Sequence, residues 1–259
     1  MGQKQTKPFI YKSYTDIWEY DPNTNTWTRK SDFPGPGRLM IKGFLITNKL
    51  YAGFGYIISA YGENAGSNEY QTDLYEYDPV ANQWSKKNDS YLGRGDIFFV
   101  IKDKMYAVNP EYRTLNRYNQ LTDTWFASKW KKNDVGPNHT DMIGNNISFS
   151  AGDKEYFITT IHKKDKVINQ LWELDPNSVT WKPKNNLPDP GSDTISAFST
   201  GEKNYAIRGG QEVLEYNPGP DSWTLKKKIP AEHKDFYYTF GIGEKIYGFS
   251  KYEFWEFIP

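Results

Sequence analysis

Cysteine is missing altogether from the 259 residues. That excludes disulfides, thiolate metal centres, cysteine nucleophiles and any cofactor made by thioether linkage to a tyrosine. Net charge is missing as well, because 32 Lys and Arg offset 32 Asp and Glu. No long-range field draws the chain to nucleic acid or to an anionic membrane surface. No run reaches the roughly 18 apolar residues of a membrane span, so membrane insertion is not expected. Met1 to Lys7 has no apolar signal-peptide core. Localisation stays open, with an extracytoplasmic or cell-envelope position favoured if an export signal was removed upstream. Histidine is scarce: His139, His162 and His233 are too far apart for a local metal motif. The glycines of Gly35-Pro36-Gly37 and Gly53-Phe54-Gly55 are followed by no helical pattern, so they read as turn glycines and not as a phosphate cradle. No Gly-x-Ser-x-Gly elbow nominates a nucleophile. No catalytic residue, metal ligand or cofactor is therefore nominated.

Aromatic residues, at 17% of the chain, are abundant, and such side chains suit pleated, half-buried strands. They recur in one segment: Asp16-Ile17-Trp18-Glu19-Tyr20-Asp21-Pro22, Asp73-Leu74-Tyr75-Glu76-Tyr77-Asp78-Pro79 and Gln170-Leu171-Trp172-Glu173-Leu174-Asp175-Pro176. Weaker copies run from Arg113 to Asn119, from Glu212 to Pro218 and from Phe254 to Pro259. In the first five copies a Trp follows five residues after the Pro position: Trp27, Trp84, Trp125, Trp181 and Trp223. A constant offset across an Asp-Pro or Asn-Pro turn predicts a hairpin, an aromatic strand followed by a Trp-led strand. Two further short strands precede most copies, for example Ala197 to Thr200 and Asn204 to Ile207 before Gly209-Gly210. The unit is a four-stranded meander that cannot bury both faces alone, so the units must stack.

The Pro positions fall at 22, 79, 120, 176, 218 and 259, against a typical blade repeat of roughly 40 to 50 residues. The longer intervals read as insertions at Tyr56 to Gln71, Lys132 to Asn146 and Ile161 to Asn169.

The motif Trp-Glu-Tyr-Asp-Pro-x-Thr-Asn-x-Trp, intact from Trp18 to Trp27, resembles the kelch-repeat family, particularly bacterial kelch-like proteins. The third copy departs from it at Asn119-Gln120 and at Ala107-Val108-Asn109. The resemblance implies an all-β fold, a β-propeller of four-stranded blades over residues 1–259 as a single domain. Six motif copies predict six blades, with five the alternative. The ring-closing blade lacks an outer and an inner strand in the sequence, so part of it is expected upstream of residue 1. Galactose oxidase shares this fold, but its copper-radical site needs a cysteine that this chain lacks.

The Trp and Tyr ladder reads as packing between blades, since every repeat carries it. The third-strand acids Glu19, Glu76, Glu173, Glu215 and Glu256 read as cross-strand partners of the bases after each Trp, Arg29, Lys30, Lys86, Lys87, Lys182 and Lys226. Lys226-Lys227-Lys228 reads as protection of an outer edge. What remains distinctive lies on the connections between second and third strands and between blades. Arg38, Arg94, His139 and His233 follow the inter-blade connections, and Tyr56, Tyr61, Tyr112, Arg113, His162 and Arg208 sit at the others. These ten form the candidate ligand-binding face. The resemblance implies a noncatalytic module that binds a protein or a glycan there. The alternative is a carbohydrate-active enzyme of the kelch class such as a sialic-acid mutarotase, which needs an acid or base converging with arginines.

Overall fold

The computed structural model describes residues 14–58, 67–92, 96–130, 136–137, 147–230, 238–249 and 253–259. The described residues form strands, turns and loops, with no helix among them. β1 (Trp18–Asp21) and β2 (Thr26–Arg29) pair with each other. β3 (Lys42–Ile46) and β4 (Lys49–Gly53) lead to a small hairpin, β5 (Tyr56–Ile58) with β6 (Asn68–Tyr70). β7 (Leu74–Asp78) and β8 (Gln83–Lys86) complete the sheet β3-β4-β7-β8. Next come β9 (Ile97–Ile101), β10 (Lys104–Asn109), β11 (Thr114–Asn119) and β12 (Thr124–Lys129). The fourth set is β13 (Ile147–Ala151), β14 (Lys154–Lys163), β15 (Lys166–Asp175) and β16 (Thr180–Lys184). The fifth is β17 (Ile195–Thr200), β18 (Lys203–Arg208), β19 (Glu212–Asn217) and β20 (Ser222–Lys228). β21 (Tyr238–Ile242), β22 (Lys245–Phe249) and β23 (Phe254–Phe257) form a three-stranded sheet.

Every sheet is a meander in sequence order, as the hairpin reading predicts. The blade count is five, four of four strands and one of three, so the expected six is corrected to the alternative. The reason is that β1 and β2 have no inner strands among the described residues: there they make a two-stranded ribbon and not a blade. The Tyr56 to Gln71 insertion folds partly into β5 and β6 and leaves β4 and β7 adjacent.

The chain divides into two compact units, Met1–Met105 with Tyr118–Phe126, and Tyr106–Arg117 with Ala127–Pro259. The same device joins neighbouring sheets within each. The Asp or Asn that ends the third strand accepts a hydrogen bond from a backbone N–H two residues on, as Asp78 does from Val80 (2.9 Å) and Asn217 from Gly219 (3.1 Å). This local bond sets the turn. Three residues beyond Pro79, or beyond its equivalents, the chain enters the left-handed region, at Asn25 (φ 52°), Asn82 (53°), Asp123 (53°) and Asp221 (52°). Asn and Asp tolerate that conformation better than other side-chain-bearing residues.

The side chain of this left-handed residue is then used twice. It accepts from the third-strand tyrosine of its own sheet: Tyr77 to Asn82 (2.7 Å), Tyr118 to Asp123 (2.6 Å), Tyr216 to Asp221 (2.7 Å). It also accepts from the backbone of the preceding sheet: Ser31 N–H to Asn82 (2.9 Å), Asn88 N–H to Asp123 (2.9 Å), Asn185 N–H to Asp221 (3.0 Å). Two of the motif tryptophans add a third tie, Trp84 donating to the Ser31 carbonyl (3.1 Å) and Trp223 to that of Asn185 (3.0 Å). The repeat motif thus encodes the clasp between sheets as well as the hairpin within one.

Three of the third-strand acids meet an expected base, whereas Arg29 and Lys86 turn to Asp32 and Asp89 and Glu256 takes Lys245 (2.9 Å) from the preceding strand. Glu76 receives Lys87 (3.0 Å), Lys49 (2.7 Å) and the hydroxyl of Tyr51 (2.5 Å). Burial pushes its carboxyl up, but these bonds outweigh burial and hold it down at about 2. Glu19 pairs with Lys30 (3.0 Å) and Glu215 with Lys226 (3.4 Å), whereas Glu173 takes Lys184 (3.6 Å) in place of Lys182. Tyr156 donates to Glu173 (2.9 Å) as Tyr51 does to Glu76.

The fourth sheet departs from this scheme. Val179 occupies the left-handed position (φ 54°), and Leu174 stands where the tyrosine belongs. A β-branched residue is strained there, and valine has no oxygen to clasp with. Val179→Asn is expected to gain about 1 kcal/mol from relieved backbone strain. Asp221→Ala is expected to lose about 2 kcal/mol, from leaving the hydroxyl of buried Tyr216 without its acceptor and from putting alanine in the left-handed region. Urea denaturation of both variants checks this, and a neutral Asp221→Ala would sink the clasp.

Candidate functional site

Arg38 is 7% exposed, and its guanidinium is committed internally. Nε donates to the Pro36 carbonyl (3.0 Å) and Nη1 to that of Phe54 (3.1 Å), while Nη1 and Nη2 (2.8 Å) clamp the two oxygens of Asp73. The guanidinium also lies 5.1 Å from the centre of the Phe33 ring. Arg208, 8% exposed, makes the parallel arrangement in the fifth sheet. Its Nε (3.0 Å) and Nη2 donate to Glu212, and Nη1 donates to the Pro188 carbonyl. Asp73 and Glu212 hold equivalent repeat positions, each just before the apolar residue that opens the third-strand core, Leu74 and Val213. An acid forced into that position is neutralised by an arginine arriving from a different element in each case.

Beside Arg208 the surface opens into a pocket of about 320 Å³. Its polar wall is Glu212, Lys228, Gln211 and Ser192, and Pro190 and Ile229 supply apolar surface. The chain reaches this geometry through three local features. Gly209 (φ 59°) and Gly210 (φ 66°) make the tight turn that sets Gln211 N–H on the Arg208 carbonyl (3.1 Å); both central residues need positive φ, which favours glycine. Strands β14 and β15, ten residues each, project beyond the five or six usual here. The loop before β17 lies against that projecting hairpin: Asn169, 1% exposed, accepts from Ser192 N–H (2.8 Å) and donates to the Ser192 carbonyl (2.9 Å) and to Thr160 (3.1 Å). Gly191 fits so closely over the Val167 carbonyl that a Cβ would collide with it. Buried groups therefore fix the pocket wall before any ligand arrives.

The charges around the pocket are paired. Arg208 holds the Glu212 carboxyl below the usual carboxylate range, with Lys228 (3.4 Å) adding to the effect. Lys166 meets Asp189 at 2.7 Å, and His162 Nε2 lies 3.0 Å from Asp193, next in the chain to Ser192. Thus His162 and Arg208 serve the same loop, residues 188–193, from two sides.

The other expected residues lie elsewhere. Tyr56 is in the β5–β6 hairpin, its ring 5.7 Å from that of Tyr70. Tyr112 is exposed on the β10–β11 turn, and Arg113 beside it (φ 53°) lies 5.3 Å from the Trp130 ring centre. Arg94, His139, His233 and Tyr61 fall outside the described residues. No group of three or more His, Cys, Asp or Glu suited to a metal occurs among the described residues.

No protein-family model matches the chain, and no curated protein sequence is significantly similar to it. Among solved structures, one titled "Structure of YjhT" is similar at a TM-score of 0.65 and 14% identity, over 94% of this chain and 91% of that one. The fold is a β-propeller. Such a likeness establishes the propeller and leaves its ligand to be argued from the site.

Sequence reasoning reached Arg208 and His162 but missed Glu212, Lys228, Gln211, Ser192 and Asn169. Lys228 read as the end of an edge-protecting lysine run, yet it turns toward Glu212. One signal was present: Arg208 and Glu212 bracket a Gly-Gly turn, which places opposite charges directly across a hairpin.

One propeller carboxyl has the raised affinity for protons that marks a general acid. It is Glu155, but it is only 1% exposed and lies across from Ser150 in the sheet core. Burial pushes it up to about 8, against the hydroxyls of Ser148 and Ser150, which pull it down. No substrate reaches it, so the acid serves as a buried, protonated hydrogen-bonding group.

Two outcomes follow from these environments. Arg38→Ala is expected to destabilise the fold by about 3 kcal/mol, since it strands a partly buried carboxylate; a wild-type thermal midpoint would show that Arg38 is free for ligand. For Glu155, the folded group binds its proton more tightly than the unfolded one. Its contribution is complete below pH 4.5, the unperturbed value, and is lost as pH rises through about 8. Glu155→Gln should thus gain on the wild type as pH rises across that window in denaturation midpoints. A pH-independent difference between the two would refute the buried proton.

Proposed function

We propose that residues 1–259 make a noncatalytic binding module that recognises a protein or a glycan through the connections on one propeller face, with Arg208 and His162 at its centre. The observation that carries the reading is the pocket beside Arg208, whose wall is fixed in advance by buried groups. A site whose side chains are already held spends little conformational entropy on binding, which favours recognition by rigid loops on a scaffold.

A catalytic reading needs an acid or base poised near neutrality at that pocket. Glu212 is held ionised by Arg208 and Lys228, and Glu155, whose affinity for its proton is raised, is enclosed in the sheet core. Binding is therefore preferred to carbohydrate-active chemistry. Kelch character rests on the resemblance of the Trp18 to Trp27 motif.

A glycan array and an affinity capture from a cell-envelope extract, run side by side with wild type and Lys228→Glu, test the reading. Lys228 is 71% exposed but stands across the hairpin from Glu212, so its reversal is expected to lower the thermal midpoint slightly while the chain stays folded. Loss of the captured ligand in Lys228→Glu supports the face. Turnover of a bound sugar, or binding that survives in Lys228→Glu and moves only with changes on the opposite face, overturns it.

A further inference from the structure

We infer that the pocket beside Arg208 takes an uncharged, hydroxyl-rich ligand, a neutral sugar ring or a comparable polyol. This deepens the binding reading above and rests on it. The argument concerns which charges are free. Arg208 is buried, with Nε and Nη2 on Glu212 and Nη1 on the Pro188 carbonyl. It shapes the site without offering a free charge to it.

What faces the ligand is a donor and an acceptor side by side. Lys228 and Glu212 stand 3.4 Å apart, flanked by Gln211 and by Ser192, whose hydroxyl donates to the Thr194 carbonyl (3.1 Å) and accepts from the Thr194 N–H (3.1 Å), which leaves it one acceptor lone pair for a ligand hydroxyl. A hydroxyl group both gives and takes a hydrogen bond, so it can bridge an ammonium and a carboxylate without leaving either unpaired. An anionic ligand meets Glu212, whose side chain is 26% exposed and held ionised. Its attraction to Lys228 is weakened because that side chain is 71% exposed and screened by solvent. A cationic ligand meets Lys228 beside Arg208. Of the next charges outward, Asp189 is offset by Lys166, and Asp193, 3.0 Å from His162 Nε2, places a further carboxylate near the pocket that an anionic ligand would have to approach.

Size and shape agree with this chemistry. A volume of about 320 Å³ lies at the low end of the roughly 300 to 1,000 Å³ found for small-molecule sites. Pro190 and Ile229 give the C–H face of a ring something apolar to rest on. With no aromatic ring among the described residues of the wall, affinity comes from directional hydrogen bonds, and the hold of Asn169 on Ser192 keeps one of them in register.

The test is a titration of the full chain followed by amide NMR. The probes are the methyl glycosides of glucose, galactose and mannose, each beside its uronic acid and its amino-sugar counterpart. A neutral glycoside is expected to shift the amides of residues 191–192 and 209–212, more strongly than either charged form. Lys228→Met, at a largely exposed position, should weaken it at least tenfold, and Gly191→Ala should do so by displacing the loop from Val167 while removing no pocket side chain. If Gly191→Ala does not fold, Ser192→Ala replaces it and is expected to weaken binding severalfold. Stronger binding of the uronic acid or the amino sugar overturns the neutral-ligand inference and leaves the binding module standing. No sugar response at these amides, with a protein partner captured through the same face, also overturns the inference alone. No ligand of any kind at this face overturns both readings.

Discussion

A single hydrogen-bonding residue, held with positive φ at the turn of three outer hairpins, carries the arrangement of the sheets. Asn82, Asp123 and Asp221 each receive a tyrosine from their own sheet and a backbone N–H from the sheet before. Because one side chain satisfies both, hairpin formation and sheet stacking are coupled: the turn is complete only when the neighbour is in place. Stacked aromatics such as Tyr77 with Trp84 and Tyr216 with Trp223 then bury their area around that fixed point.

The same logic explains why so many charged residues sit in strands without disrupting them. A glutamate facing a sheet neighbour loses hydration, yet Glu76 meets two lysines and a tyrosine, and its carboxyl stays ionised. Where an acid approaches the core at the start of a third strand, an arginine is brought to it, from the preceding loop for Asp73 and from the adjacent strand for Glu212. Arg38 and Arg208 therefore stand out in the sequence for reasons that are partly architectural. Arg208 also opens onto a cavity.

The meander and the hairpin turns were legible because they rest on local chemistry: an Asp or Asn, a Pro, a left-handed residue and a Trp at constant spacing. The blade count was not, since the motif around Trp18 looks complete while inner strands for β1 and β2 are not among the described residues. The candidate face was legible as a set of connections, but its pocket was not. Ser192 and Asn169 are 23 residues apart and meet only because β14 and β15 extend past the sheet. Nothing in a lysine run announces that its last member will turn to a glutamate across the hairpin. Long-range pairings of this kind have no periodic signature.

The extended β14–β15 hairpin has a consequence for valency. The scaffold repeats, but among the described residues the ten-residue strands occur in one sheet, and they anchor the loop that walls the pocket. A repeated architecture would ordinarily suggest several equivalent sites and gains from simultaneous engagement. Here the pseudo-symmetry is broken at the place where recognition is built, so this pocket is filled once per chain. Avidity at this site would have to come from tethering or clustering several copies, where effective concentration, not contact area, sets the strength of attachment.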